Sequence, residues 1–177
     1  MKRLFQLLII PLSILSATTI NVPEEYSTIQ EGVNESIDGD TVLVADGMYY
    51  ENLSINKDIT LASHFIIDGD LSHRDATIID GSNYDEDSGP FGSCVLFLPP
   101  ENGDHIHPRL AGFTIQNGRG TRVREAIGDS TTITYFIGGG LTIWHSFPEV
   151  TYNYIIENGS NSDIRSGPTR GGGGAAS

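Results

Sequence analysis

The phrase GFTIQNG (112–118) returns 41 residues later as NYIIENG (153–159). On that alignment Phe113 answers to Tyr154, Ile115 to Ile156, Asn117 to Asn158 and Gly118 to Gly159. Around it the chain is built from short β-branched runs, each closed by Gly, Asp, Asn or Pro: TVLVA (41–45), LSI (53–55), ITLA (59–62), FII (65–67), TII (77–79), VLFL (95–98), ITYFI (133–137) and LTIW (141–144). Such runs read as strands ended by turns. Val42, Thr60, Ile78, Leu96 and Thr114 stand 18 residues apart. A period near twenty residues, made of short strands with Asp-Gly and Asn-Gly corners, predicts a solenoid in which each coil stacks on the next.

In that frame an Asn after the strand pair sits at a corner and bonds to the Asn of the neighbouring coil, so Asn117 and Asn158 read as structural ladder residues. The Gly that follows would supply a positive φ. One helix is expected: Ile29, Val33 and Ile37 form an i, i+4, i+8 stripe, with Ser27 or Thr28 as N-cap, Gln30 or Glu31 three residues on, and Gly39 at its end. It would cover the open end of the first coil. Two stretches, 82–92 and 119–132, break the repeat and read as irregular loops leaving the coils at corners.

The first residues, MKRLFQLLIIPLSILSA, combine a basic start with an apolar run too short to span a membrane. Residues 1–17 therefore read as a signal peptide, and 18–177 as one exported domain, secreted, at the cell surface or in the periplasm, with its N-terminal cap over 24–39 and its last coil cut short at GGGGAAS (171–177). No other segment is apolar enough to span. The chain carries 10 Lys and Arg against 23 Asp and Glu, a net charge of −13. That balance opposes nucleic acid and anionic surfaces and favours solubility as a monomer. The single cysteine, Cys94, lies in the apolar run SCVLFL, so no internal disulfide forms and the thiol reads as a small buried hydrophobe.

Several marks together resemble a known family. Thr28-Ile29-Gln30, Gly39-Asp40-Thr41, Val44-Ala45-Asp46-Gly47, Tyr50-Glu51-Asn52 and Ile59-Thr60-Leu61 look like the leading segment of the pectin-lyase-like right-handed parallel β-helix superfamily. TIIDG (77–81), GFTIQNG and GGGLTIWHSFPEVTYNYIIENG (138–159) are similar to its later coils. The resemblance implies an all-β fold, a right-handed parallel β-helix with a short N-terminal capping helix, belonging to a secreted bacterial repeat protein of which this chain is a fragment. It is weaker for activity, because the superfamily holds both enzymes and non-catalytic surface proteins. The paired aspartates of its methylesterases and the NTD, DD, GHG and RIK motifs of its polygalacturonases do not occur here. A lyase of this type needs a Lys or Arg base, often with Ca²⁺; beyond the leader the chain offers Lys57, Arg109, Arg119, Arg122 and Arg124.

Candidate binding residues follow from side-chain chemistry. Alternation along LTIW turns Trp144 outward beside His145, and Trp144 and Tyr152 are the aromatic faces best suited to stack on a sugar ring. Arg119, Arg122 and Arg124 form the one basic patch of an acidic chain, able to grip a carboxylate or to sit as a solvated loop. Asn83, Asp85 and Asp87 space oxygen ligands like the start of a calcium loop, although Ser88 and Cys94 stand where such a loop wants Gly and Glu. Calcium is thus the one cofactor considered. His105 and His107 would need a third ligand from His64, His73 or His145 to hold a metal. The expected function is a secreted or cell-surface module, non-catalytic in this chain, that binds a polysaccharide or cell-surface glycan or mediates adhesion. The alternatives are the N-terminal part of a polysaccharide-active lyase or esterase whose catalytic coils lie downstream, and a structural stalk.

Overall fold

The computed structural model describes residues 16–85, 91–101, 103, 105–127, 131–159 and 175–176. Along the chain run β1 (Thr19–Val22), α1 (Ile29–Glu35), β2 (Thr41–Val44), β3 (Gly47–Tyr49), β4 (Leu53–Ile55) and β5 (Thr60–Ser63). Then come α2 (Phe65–Asp68), α3 (Leu71–Ala76), β6 (Thr77–Asp80), a 3₁₀ turn (Gly81–Asn83), β7 (Phe91–Gly92) and β8 (Val95–Phe97). The rest are β9 (Arg109–Ala111), β10 (Thr114–Gln116), β11 (Gly120–Ile127), β12 (Thr131–Ile137), β13 (Leu141–Ile143), β14 (Glu149–Thr151), β15 (Tyr154–Ile156) and β16 (Ala175–Ala176). Most of the signal peptide expected over 1–17, Asp87 of the expected calcium loop and most of the 171–177 tail lie outside the described residues. No described helix is long and apolar enough to cross a membrane.

The expected architecture, a single right-handed parallel β-helix solenoid with a capping helix, is corrected by the strand pairing. The described strands fall into four separate sheets, and none of them is closed or coiled. Three are parallel, in the orders β1-β2-β5-β9-β14, β3-β6-β10-β15 and β4-β8-β13-β16; the fourth, β7-β11-β12, is antiparallel. The 18-residue period is not a pairing period. Val42 pairs with Leu61 and not with Thr60, Ile78 lies in a different sheet from both, and Leu96 lies in a third. The stretch 119–132, expected as an irregular loop, supplies β11 and the start of β12, a long antiparallel hairpin running from Thr121↔Ile137 to Ile127↔Thr131.

The phrase Ile-Ile-Asp-Gly shows why local sequence misleads. At 78–81 it is strand β6 running into the 3₁₀ turn, and Ile79 is fully buried between Tyr49 and Ile115 of the flanking strands. At 66–69 the same four residues end helix α2, with Ile66 and Ile67 exposed and Gly69 in the left-handed region (φ 76) as its C-cap. Only the first copy has parallel partners on both sides, and those partners decide its conformation.

Helix α1 forms at the expected place. Thr28 accepts from Glu31 N, and Glu31 accepts from Thr28 N, a full capping box. Ile29 and Val33 are buried, but the helix stops at Glu35 and Ile37 is exposed. It ends at Ser36, which takes an extended backbone, and Lys57 Nζ donates to the carbonyls of Val33, Asn34 and Ser36 at 2.9, 2.6 and 2.6 Å. An ammonium there meets the negative end of the helix dipole. The inward rows of the three parallel sheets share one core with α1: Val22, Val42, Val44, Leu61 and Leu110 from the first, Ile79 and Ile115 from the second, and Leu53, Ile55, Val95, Phe97 and Leu141 from the third. A buried aliphatic side chain is worth about 1.5–3 kcal/mol relative to exposure, so these rows carry the stability.

Candidate binding site

Between β13 and β14 the chain turns through Trp144, His145, Ser146 and Phe147, and two backbone bonds hold the corner. Trp144 N donates to Phe97 O at 2.9 Å and Phe147 N to Ile106 O at 2.8 Å. His145 takes a positive φ of 47°, which turns the chain while leaving Trp144 41% and Phe147 61% exposed. Against this corner lies the 105–107 segment. The His105 ring meets Phe147 edge-on with centroids 5.3 Å apart, His107 stacks on the same ring at 5.5 Å, and His105 Nδ1 sits 2.9 Å from His145 O, to which it donates. Ser146 is buried, and its hydroxyl has no hydrogen-bond partner among the described residues.

Next to the corner is a cavity of about 660 Å³, lined by Asn34 to Asp38, Asn56 to Asp58, Pro100, His105 and Ile106. Its walls are tied together through backbone groups. Asp38 accepts from Asp58 N at 2.9 Å, and the Asp58 carboxylate accepts from His107 N. Lys57 also lines the cavity, its ammonium turned to the end of α1, but the three carboxylates of Glu35, Asp38 and Asp58 outnumber it and set the sign of the cavity. A concave, polar-lined space of this size with flat rings beside it suits a small polar ligand or one unit of a longer chain. The same carboxylates disfavour a polyanion.

Tyr152 does not join this corner. It lies beyond β14, 61% exposed, with a positive φ of 58° and its ring 4.7 Å from Phe65. Nearby, Arg74 places its guanidinium 5.7 Å from the centre of the Tyr154 ring. The arginines are elsewhere again. Arg119 is exposed at the foot of the hairpin, and Arg122 and Arg124 lie on β11 opposite Phe136 and Thr134. Asn83 and Asp85 are exposed around the 3₁₀ turn. Among the described residues no group of three or more His, Cys, Asp or Glu is arranged to hold a metal.

Asn117 and Asn158 do not stack on each other. β10 and β15 pair Thr114↔Tyr154 and Gln116↔Ile156, an offset of 40, so the look-alike phrases are one residue out of pairing register. The positive φ falls on Asn117 (61°) and on Glu157 (53°), which follow that true register. Gly118 serves instead to let strands approach: a Cβ there would collide with the Gly139 carbonyl. Asn117 donates to Asp80. Asn158 clamps the strand below, accepting from Gly118 N and donating to Ile115 O and Ile156 O, each at 2.8 Å. Asn153, not singled out in the sequence, makes the matching clamp on Phe113 N and Leu110 O. Its signal was available: an Asn five residues before another Asn, each just past a strand.

A second cluster ties the α2–α3 excursion to Asp46, which precedes β3. His73 Nδ1 meets Asp46 at 2.7 Å, its Nε2 faces Asp68 at 3.4 Å, and the His64 ring lies edge-on 5.6 Å away. The bond to Asp46 holds the imidazole above its ordinary range against the cost of burial, and the charge of both carboxylates adds to it. Cys94 goes the other way: burial pushes its thiol up to about 12, so it is not a nucleophile at neutral pH.

No family model, no curated protein and no solved structure matches this chain. The likeness to the pectin-lyase-like superfamily therefore rests on the quoted motifs alone, and the four-sheet topology does not carry the solenoid it implied. Neither secretion nor carbohydrate binding draws support from the comparisons.

Proposed function

We propose that this chain is a non-catalytic binding module acting outside the cell, and that it takes a neutral glycan at the Trp144–Phe147 corner. The observation that carries this reading is the exposed Phe147 ring packed on His105, a wall of an acid-lined cavity of about 660 Å³, with the exposed Trp144 three residues before it in the same corner. In this account a sugar ring stacks on the aromatic faces while the amides of Asn34 and Asn56 donate to and accept from its hydroxyls and the carboxylates of Glu35 and Asp58 accept from them. Trp144 keeps the role the sequence suggested; Tyr152, Arg119, Arg122 and Arg124 lie on other elements and have no part in it. Export is supported by the leading segment of the sequence.

The test is a glycan array run on the full chain, with and without Ca²⁺, alongside an ultraviolet assay for unsaturated uronate products. Binding to neutral glycans without turnover, weakened about tenfold by Phe147→Ala, is the expected result. Product formation, or selective capture of polyuronates, would overturn it.

A further inference from the structure

Asn117 and Asn158, which tie neighbouring strands together, are each followed by glycine. An Asn-Gly pair can modify itself. The glycine nitrogen, once it gives up its proton, attacks the asparagine Cγ. The new C–N bond closes a five-membered imide, the Cγ–Nδ2 bond breaks, and the side-chain nitrogen leaves as ammonia. Water then opens the imide at either carbonyl, giving aspartate or its isoaspartyl isomer. The reaction needs a glycine nitrogen able to lose its proton and a side chain able to reach it, and glycine has no Cβ to hinder the approach.

In this fold the two attacking nitrogens are held by one interlocked pair of bonds. Gly118 N donates to Asn158 Oδ1 at 2.8 Å, and Gly159 N donates to Gly118 O at 3.0 Å. The nucleophile for Asn117 is thus held by the side chain of Asn158, and the nucleophile for Asn158 by the backbone beside Asn117. A hydrogen bond donated by the neutral N–H disfavours its deprotonation. The side chains are drawn elsewhere as well. Asn117 Nδ2 donates to Asp80 at 2.8 Å, and Asn158 Nδ2 donates to Ile115 O and Ile156 O.

The two pairs differ in exposure. Gly118 is buried, and a Cβ on it would collide with the Gly139 carbonyl, so packing demands glycine there although it creates a labile pair. Gly159 is exposed, and among the described residues a Cβ on it would meet nothing within 4 Å.

We propose that Asn158 is a site of spontaneous deamidation and that its intact side chain gates the same reaction at Asn117, so that the two modifications follow in order, 158 before 117. Asn158 reacts first because its nucleophile sits at an exposed corner, where water competes for the bond to Gly118 O. Loss of Nδ2 removes both donors that hold the side chain, and the isoaspartyl linkage carries the acceptor away from Gly118 N, which is then able to attack Asn117. Each step adds one negative charge to a chain already at −13. The glycan reading uses none of these residues and stands or falls separately.

The experiment is peptide mapping by mass spectrometry, with isoaspartate quantified at each position, on the full chain held at mildly alkaline pH, folded and in urea. Three variants accompany the wild type. Gly159→Ala hinders attack on Asn158 and leaves its bonds in place. Asn158→Ala frees Gly118 N. Asn153→Ala lowers stability through other bonds, to Phe113 N and Leu110 O, and controls for global unfolding. In urea the two wild-type positions are expected to react at similar rates. In the folded wild type, modification at 117 should lag behind that at 158, and Gly159→Ala should suppress both. Asn158→Ala should speed the reaction at Asn117 at least about fivefold, the factor that one lost hydrogen bond gives, and Asn153→Ala should leave that rate unchanged. Modification of Asn117 ahead of Asn158, or at an unaltered rate in Gly159→Ala, would overturn the proposal. So would a folded chain inert at Asn158 while the urea-treated chain reacts to completion. Equal acceleration by Asn158→Ala and Asn153→Ala would trace the effect to unfolding and refute the gating. If Asn158→Ala does not fold, Gly159→Ala decides the matter, since its added methyl group meets open space.

Discussion

Removing the side chain of Asn158 tests what holds the parallel strands in register. Its amide makes three bonds of 2.8 Å, accepting from Gly118 N and donating to Ile115 O and Ile156 O. A net hydrogen bond contributes about 1 kcal/mol, and water reaches a half-buried site in part, so Asn158→Ala is expected to cost about 2–3 kcal/mol. Asn153→Ala removes two comparable bonds, to Phe113 N and Leu110 O, and sets an internal scale of about 1–2 kcal/mol. Asn158→Asp separates the parts. It keeps the acceptor for Gly118 N but turns a carboxylate toward two carbonyl oxygens, so at neutral pH it is expected to be at least as damaging as alanine. Protonation at low pH restores a donor and narrows the gap. Urea unfolding followed by far-ultraviolet circular dichroism measures all three, with an unchanged m-value marking a change in stability alone. A loss below about 0.5 kcal/mol for Asn158→Ala would refute the reasoning, because the clamp would then be replaced by water without loss.

The His73 cluster predicts a pH dependence of definite sign. A folded-state value raised by Asp46 stabilises the fold fully below the ordinary histidine range and loses that contribution as pH rises through the raised value. The stability gap between the wild type and His73→Gln, from thermal melts, should therefore be larger at pH 5 than at pH 9; an equal or reversed gap contradicts it. Thr28→Ala removes the N-cap of α1 and should cost about 1 kcal/mol in the same urea assay. Cys94, fully buried with its thiol pushed up to about 12, should stay silent to a thiol reagent in the native state and react only after unfolding; prompt native labelling would contradict that.

Helix α1 was legible because its signals are local: Thr28 and Glu31 for the capping box, Ile29 and Val33 for the buried face. Its end was not, because the group that takes up its last carbonyls is Lys57, more than twenty residues away. The repeat was legible as a tendency to form parallel strands and illegible as a register. The repeated phrase sets Asn117 against Asn158 at an offset of 41, whereas backbone pairing runs at 40 and moves every counterpart by one residue. A slip of one residue exchanges the two faces of a strand. The run ITYFI (133–137) reads as a strand and is most of β12, whereas 119–132 reads as a loop because GTRVREAI, which forms β11, carries three charges that hide its strand character. At the candidate site, alternation along LTIW turned Trp144 outward correctly. The cavity stayed hidden because its walls come from segments distant in the chain: 34–38, 56–58, and Pro100 with His105 and Ile106.

Trp144 is the only tryptophan in the chain, so its fluorescence reports on the proposed site without labelling. The most direct measurement is a fluorescence titration of the full chain with neutral oligosaccharides, repeated on Phe147→Ala. The account predicts a saturable change in Trp144 emission whose midpoint moves about tenfold higher in the variant. An oligosaccharide that binds by calorimetry yet leaves Trp144 emission unchanged would place the site elsewhere and contradict the account.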